Sequence, residues 1–221
     1  MQDKFVSNEP PDARKWREDD PRRLRMAEKR ALILDAARPV LLRDGLGGTT
    51  LDRVATEGGI AKMTLYRHFP SKEALFEGLV TSMCGSIRQG LENAPRGGDD
   101  QPAATRLSDE LRGFTSALIE PDALALYRLV VAEGWRFPRL AHVFDQSGMC
   151  VIRQRIAKLL EAGGVLSATA QPLAAEVVAL ALGDAYQRAV LGIADDSDRE
   201  LFLRQRQRAV AHAFGGTGRQ G

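Results

Sequence analysis

The stretch Leu51–Phe69, LDRVATEGGIAKMTLYRHF, decides the fold. Val54 and Ala55 stand where a first short helix turns inward, Ile60 and Leu65 where a second is anchored against it, and Gly59 lies between them. A small residue at Ala55 lets the two helices cross closely, and Gly59 can take the positive φ that a tight turn requires. The layout is a helix-turn-helix, with helices expected at about 50–57 and 61–67. Its second helix is held proud of the surface and offers Lys62, Met63, Thr64, Arg67 and His68. These combine groups able to bond base edges, touch a thymine methyl or neutralise phosphates. Thr49 or Thr50 caps the first of the two helices, and with Tyr66 and Lys72 can donate to a backbone phosphate.

Working outward, Leu32, Ile33, Ala36, Ala37, Val40 and Leu41 recur at helical spacing between Glu28 and Asp44, and Gly45 follows as a stop. Pro39 inside that run removes an amide donor and crowds the carbonyl of Asp35, so a kink is expected there. Ahead of it, residues 1–23 read as a disordered basic arm, with order beginning near Leu24. After the helix-turn-helix domain at 24–72, a longer helix runs from Ser71 toward Glu92 and ends in the Asn93–Pro102 loop with its Gly97-Gly98 pair. Further helices are expected at about 102–119, 122–134, 137–147, 148–163, 171–191 and 197–213. Pro102, Pro121 and Pro172 are read as first-turn residues, Gly163-Gly164 as a stop, and Ser197-Asp198-Arg199-Glu200 as a capping box. No alternating β-branched run competes, so the fold class is all-α. An N-terminal three-helix domain precedes a helical bundle at 73–214, and a flexible tail closes the chain at 215–221.

The 221 residues, 44% hydrophobic and 27% charged, are ordinary for a soluble globular chain. Net charge is only +2, but it is unevenly spread. Through Lys72 there are 15 Lys and Arg against 11 Asp and Glu, and beyond it 16 against 18, which suits a nucleic-acid contact near the front. Cys84 and Cys150 are too few for a disulfide framework and lack CxxC spacing, so both are read as packing residues in a cytoplasmic protein. No apolar run reaches the length of a membrane span. His68, His142 and His212 lie outside ligand spacing of one another and of either cysteine, so no metal or other cofactor is expected. GxSxG, HExxH and P-loop patterns are missing, and GLGGTT at 45–50 follows a helix rather than a strand, so no catalytic role is expected.

The run GGTTLDRVATEGGIAKMTLYRHFPSKEALFEGLV resembles the N-terminal domain of the TetR family of transcriptional regulators. In that family a T-T pair, an I/V-A pair, a G-V/I turn, L-Y-x-H-F and S-K-E-A-L-F follow at the same intervals. With the preceding helix the resemblance covers about residues 28–80. It implies that Thr50, Lys62, Thr64, Tyr66, His68 and Lys72 touch double-stranded DNA, with Met63 and Arg67 tuning sequence preference. Two positions depart from the family pattern. Ala61 stands where a serine or similar cap is common, and Met63 replaces a frequent glycine. The basic arm Arg14–Arg30 reads either as a solvated tail or as a segment entering an adjacent minor groove.

The resemblance also implies that the second domain pairs two subunits and holds a small-molecule effector. Ala175, Val178, Ala179, Leu182 and Ala185 on helix 171–191 form a small, aliphatic face suited to a homodimer, with 148–163 beside it, although a monomer core would look much the same. Residues 125–144, ALYRLVVAEGWRFPRLAHVF, also resemble the C-terminal region of some TetR-like repressors. Phe114, Leu118, Tyr127, Trp135, Phe137, Met149 and Tyr186 are candidates to line an apolar effector pocket, although aromatic residues at helical spacing more often form plain core. The reading is a ligand-responsive repressor on a palindromic operator. Its rival from another class is a small-molecule sequestering protein with a vestigial DNA head.

Overall fold

The computed structural model describes residues 20–93 and 100–215. Residues 1–19 of the expected arm at 1–23, the Gly97-Gly98 pair and residues 216–221 of the expected tail lie outside the described residues. Among those residues every regular element is helical, as the pattern of the sequence requires. They divide into two compact units. The first takes the residues up to Met83 with Leu129–Phe144, and the second takes Cys84–Arg128 with Asp145 onward.

The first unit opens with α1 (Pro21–Gly48), which starts three residues before the expected Leu24, with the Asp20 carboxylate accepting from the Arg22 amide at 2.8 Å. Ile33, Leu34, Ala37, Val40 and Leu41 form its buried stripe, whereas Leu32, expected inside, is 63% exposed. The backbone stays helical through Pro39, and the break comes instead at Gly45, where φ is 67°. That turn is fastened by the Thr49 hydroxyl donating to Gly45 O at 2.6 Å and by Lys72 Nζ donating to Leu46 O at 2.9 Å. Next come α2 (Leu51–Glu57) and α3 (Lys62–His68), followed by α4 (Lys72–Asn93). Phe76, Leu79 and Val80 of α4 are fully buried. A Cβ on Gly78 would stand 2.8 Å from the Phe69 ring and 3.3 Å from Leu34, so only glycine lets α4 come this close to α1 and to the end of α3. The end of α6 (Pro121–Glu133) and α7 (Pro138–Phe144) complete the unit, with Leu140 buried.

The second unit is built from α5 (Ala103–Leu118), α8 (Cys150–Ala162), α9 (Ser167–Leu191) and α10 (Asp198–Gly215). A π-helical turn, Asp145–Met149, leads into α8. Its core combines Leu107, Leu111 and Phe114 of α5 with Ile152, Ile156 and Leu160 of α8 and with Phe202 and Ala209 of α10. The α9 residues Ala170, Ala174, Ala181 and Ala185 are all fully buried, and their small side chains let α8 and α10 lie close. Buried Glu110 takes a two-pronged bond from Arg155, at 2.8 and 3.1 Å, which satisfies a carboxylate that would otherwise be costly to bury.

Helix α9 begins five residues earlier than Pro172, which thus lies inside it. It is also interrupted at Gly183, where φ is 41° and ψ is −146°. The Gln205 amide of α10 fills this break, its nitrogen donating to Leu182 O at 3.0 Å and its oxygen accepting from the Asp184 amide at 2.8 Å. At the far end Arg128 donates to Val190 O and Ala189 O, at 2.6 and 2.9 Å, and with the Gly192 amide on Ala189 O covers carbonyls of the helix terminus. The expected capping box before α10 is replaced by another arrangement. Ser197 donates its hydroxyl to Asp195 at 2.6 Å, and the Asp198 carboxylate accepts from the Asp195 amide at 2.7 Å.

Candidate nucleic-acid interface

The α2–turn–α3 segment is held by its inner face. Leu51, Val54, Ala55 and Leu65 are buried, and Phe69 is fully so. Thr50 caps α2, its hydroxyl accepting from the Arg53 amide at 3.2 Å. Gly59 has φ 62° as expected, and the neighbouring Gly58 carries a second constraint. A Cβ there would meet Val54 O at 2.8 Å and Ala36 O at 3.2 Å, so α2 can end against α1 only without a side chain. Ala61 caps α3 without a side-chain bond, as its chemistry dictates.

This packing leaves Lys62, Met63, Tyr66 and Arg67 exposed on α3, Met63 at 83%, with Thr64 half-buried. A methionine so exposed on a short, firmly seated helix contributes nothing to the core, and its flexible apolar chain is suited to a mixed surface such as a groove floor. Asp52 of α2 sits among these residues. Its carboxylate lies 3.2 Å from Lys62 Nζ and accepts from the Tyr66 hydroxyl at 3.4 Å. Sequence reasoning did not single out Asp52, although its place two residues after Thr50, in the first turn of α2, is a usable signal.

Two expected contact residues turn inward. His68 is only 3% exposed and cannot present its ring to a groove, since it follows Leu65 by three residues and so shares the buried face. Burial lowers its pKa below the ordinary 6.5, and the nearby charges of Arg67, Arg30 and Lys29 lower it further. The ring is thus neutral, and its Nδ1 has no hydrogen-bond partner. Lys72 is half-buried and spends its ammonium group on Leu46 O, supporting the turn ahead of α2. Arg30 of α1, read only as part of a basic arm, fastens the end of α3. It donates to His68 O at 2.7 Å and lies 3.9 Å over the Phe69 ring, and burial lowers its pKa. A closed ring of charges ties α1 to α2. Arg43 meets Asp44 and Glu57 at 2.8 and 2.7 Å, and Arg53 meets the same two carboxylates at 3.1 and 2.6 Å. Hydrogen bonds, Arg43's first, hold both carboxyl groups below their usual range.

Of the effector-pocket candidates, Phe114, Leu118 and Tyr186 are buried in the core of the second unit, with Tyr127 and Met149 packed against that core. Tyr127 and Tyr186 meet edge to face at 5.3 Å, and burial, first among the causes, raises the Tyr186 pKa. Trp135 and Phe137 belong to the first unit, and Trp135 is 77% exposed. Cys84 is buried and its thiol is pushed up to about 11 by desolvation, which leaves it unreactive.

Residues 33–79 match the family model for bacterial regulatory proteins of the tetR family, and residues 105–214 match that for the C-terminal domain of AefR-like transcriptional repressors. The chain belongs to the TetR family of transcriptional regulators. Among solved structures, this TetR-family chain is similar to the flavonoid-responsive regulator FrrA, at 28% identity and a TM-score of 0.67 over 85% of this chain and 97% of that one. A TetR-family regulator from Mesorhizobium loti shares the fold, with a TM-score of 0.69 over 86% of this chain and 97% of the other at 23% identity. The HTH-type transcriptional regulator YhgD of Bacillus subtilis is 33% identical over 30% of this chain and 35% of its own length. A Mycobacterium bovis regulator, Mb2274c, is 29% identical over 37% and 43%. The chain thus matches well under half the length of these curated relatives. The family is one of regulators rather than enzymes. Among the described residues no helix is long and apolar enough to cross a membrane.

Proposed function

We propose that this protein is a ligand-responsive transcriptional repressor that binds a palindromic operator as a homodimer and leaves it when a small-molecule effector binds. The exposed row Lys62, Met63, Tyr66 and Arg67 on a helix anchored through Leu65 carries the DNA half of this reading. Thr50 at the α2 cap adds a phosphate donor. His68 and Lys72 are given supporting roles inside the domain. Two recognition helices related by a twofold axis would enter major grooves about 34–36 Å apart or a little further.

For the homodimer, the choice of helices shifts from the expected 148–163 and 171–191. The outward residues of α8 are Gln154, Lys158, Glu161 and Ala162, mostly polar, whereas α9 exposes Ala175, Ala179 and Leu180 beside Glu176, and α10 exposes Leu203. We therefore favour α9 with α10 as the pairing surface. The effector is a small, largely apolar molecule entering among Phe114, Leu118, Tyr127, Met149 and Tyr186. FrrA, flavonoid-responsive by its name, and the AefR-like repressor model support both response and repression. Effector binding favours a state with mispositioned DNA heads, and operator affinity falls by linkage. A gel shift with duplex from upstream of the protein's own gene tests this. A specific, salt-sensitive shift is expected, and its absence at low salt would overturn the reading.

A further inference from the structure

Before its first buried residue, Ile33, helix α1 runs for twelve residues of which only Arg23, Met26 and Arg30 are even half-buried. Leu24 and Leu32 are 56% and 63% exposed, so this segment draws little of the packing that stabilises most short helices in water. This segment also opposes its own dipole. Arg22, Arg23 and Arg25 crowd the positive end, and no acidic residue lies in the first turn. Five cations, completed by Lys29 and Arg30, face only two carboxylates, Asp20 at the cap and Glu28.

These cations are sorted into two faces. Arg23, Met26 and Arg30 are half-buried on one side. Arg22, Arg25 and Lys29 are exposed on the neighbouring side, within an arc of about 60° at 3.6 residues per turn. Among the described residues none of these three pairs with a carboxylate, and Arg25 donates only to its own helix, at Pro21 O. The exposed row runs beside the end of α3, since Arg30, the residue next to Lys29, donates to the His68 carbonyl at 2.7 Å. The basic surface therefore continues from the recognition helix along α1 for about 10 Å, at about 1.5 Å per residue.

We infer that the α1 row Arg22, Arg25 and Lys29 docks on the phosphate backbone of the same duplex, flanking the bases beneath α3. It extends the footprint without reading sequence. The inference rests on the DNA-binding reading of α3. A polyanion supplies what the helix lacks, for duplex DNA carries one charge per about 1.7 Å of axis, enough to meet all three cations.

The test is a salt titration of the full chain and its R22Q/R25Q/K29Q variant on a duplex enriched from a random-sequence pool by the wild-type protein. Circular dichroism of the variant verifies that it folds. The variant is expected to select the same sequence, to bind roughly ten- to hundredfold more weakly near 0.1 M salt, and to show a slope of log K against log salt shallower by about 2.7 per protomer, about 0.9 for each lost phosphate contact. A second arm needs no variant. Trimming the flanks of the enriched duplex should weaken the wild type toward the variant's affinity and leave the variant unchanged.

An unchanged slope and indifference to flank length would overturn the inference while leaving α3 as the reader of DNA. Failure of the wild type to enrich any duplex would instead sink the underlying reading. A variant that selects a different sequence, or a row needed only for binding phosphatidylserine vesicles, would also overturn it.

Discussion

Replacing Arg30 by Ala should loosen the recognition helix from its C-terminal end. Arg30 makes a charge-assisted bond to His68 O at 2.7 Å, a type worth about 1.5–3 kcal/mol. It also lies 3.9 Å over the Phe69 ring, a contact worth about 0.5–2 kcal/mol. Burial of the guanidinium, visible in its lowered pKa, offsets part of that gain, so a net loss of about 2 kcal/mol is expected. Native-state hydrogen exchange reads this locally. The Phe69 amide, which donates to Leu65 O at 2.8 Å, should exchange roughly 30-fold faster in the variant, since each 1.4 kcal/mol is a factor of ten. Arg30→Lys keeps the charge but loses the planar group over the ring, and should fall between the two. Exchange at Phe69 within about twofold of wild type in Arg30→Ala would refute the reasoning, as would an Arg30→Lys variant indistinguishable from wild type.

Asp52→Asn removes the carboxylate that holds Lys62 and Tyr66, so binding to unrelated duplex at low salt should tighten by roughly three- to tenfold, with a steeper salt slope. Weaker binding would show that Asp52 positions these groups for DNA rather than competing with it. For His68, burial lowers the folded-state pKa below 6.5, so the unfolded chain takes up a proton first as pH falls. Stability of the first unit should be full above about pH 6.5 and decline progressively below it, and urea unfolding of His68→Gln across that window should lose this component. Gly183→Ala places a Cβ at φ 41° and 2.5 Å from the Gln205 amide, so thermal unfolding should reveal a loss of about 2 kcal/mol or more in the second unit.

The helix-turn-helix was legible because its determinants are local. Val54, Ala55 and Leu65 lie at helical spacing around Gly59, whose positive φ the turn demands. The same periodicity already placed His68 inside, three residues after Leu65, but its capacity to bond bases drew it onto the outer face. Trp135 failed in the opposite sense, since an aromatic side chain is not bound to be buried and this one is 77% exposed. What sequence spacing could not carry was tertiary. Arg30 and Phe69 are 39 positions apart in the chain, and the Gln205 amide enters the α9 break from another helix. Pro39 does not kink α1 as expected, since a helix can tolerate the loss of one amide donor, and the glycine at position 45 provides the actual break.

The central claim is that the exposed side of α3 selects DNA sequence. Enrichment from a random-sequence duplex pool, run in parallel on the wild type and on a folded Met63→Ala/Arg67→Ala variant, tests it most directly. The account predicts one dominant motif for the wild type and a changed or lost motif for the variant, whose residual binding tracks salt alone. Recovery of the same motif by both proteins, at matched salt, would contradict it.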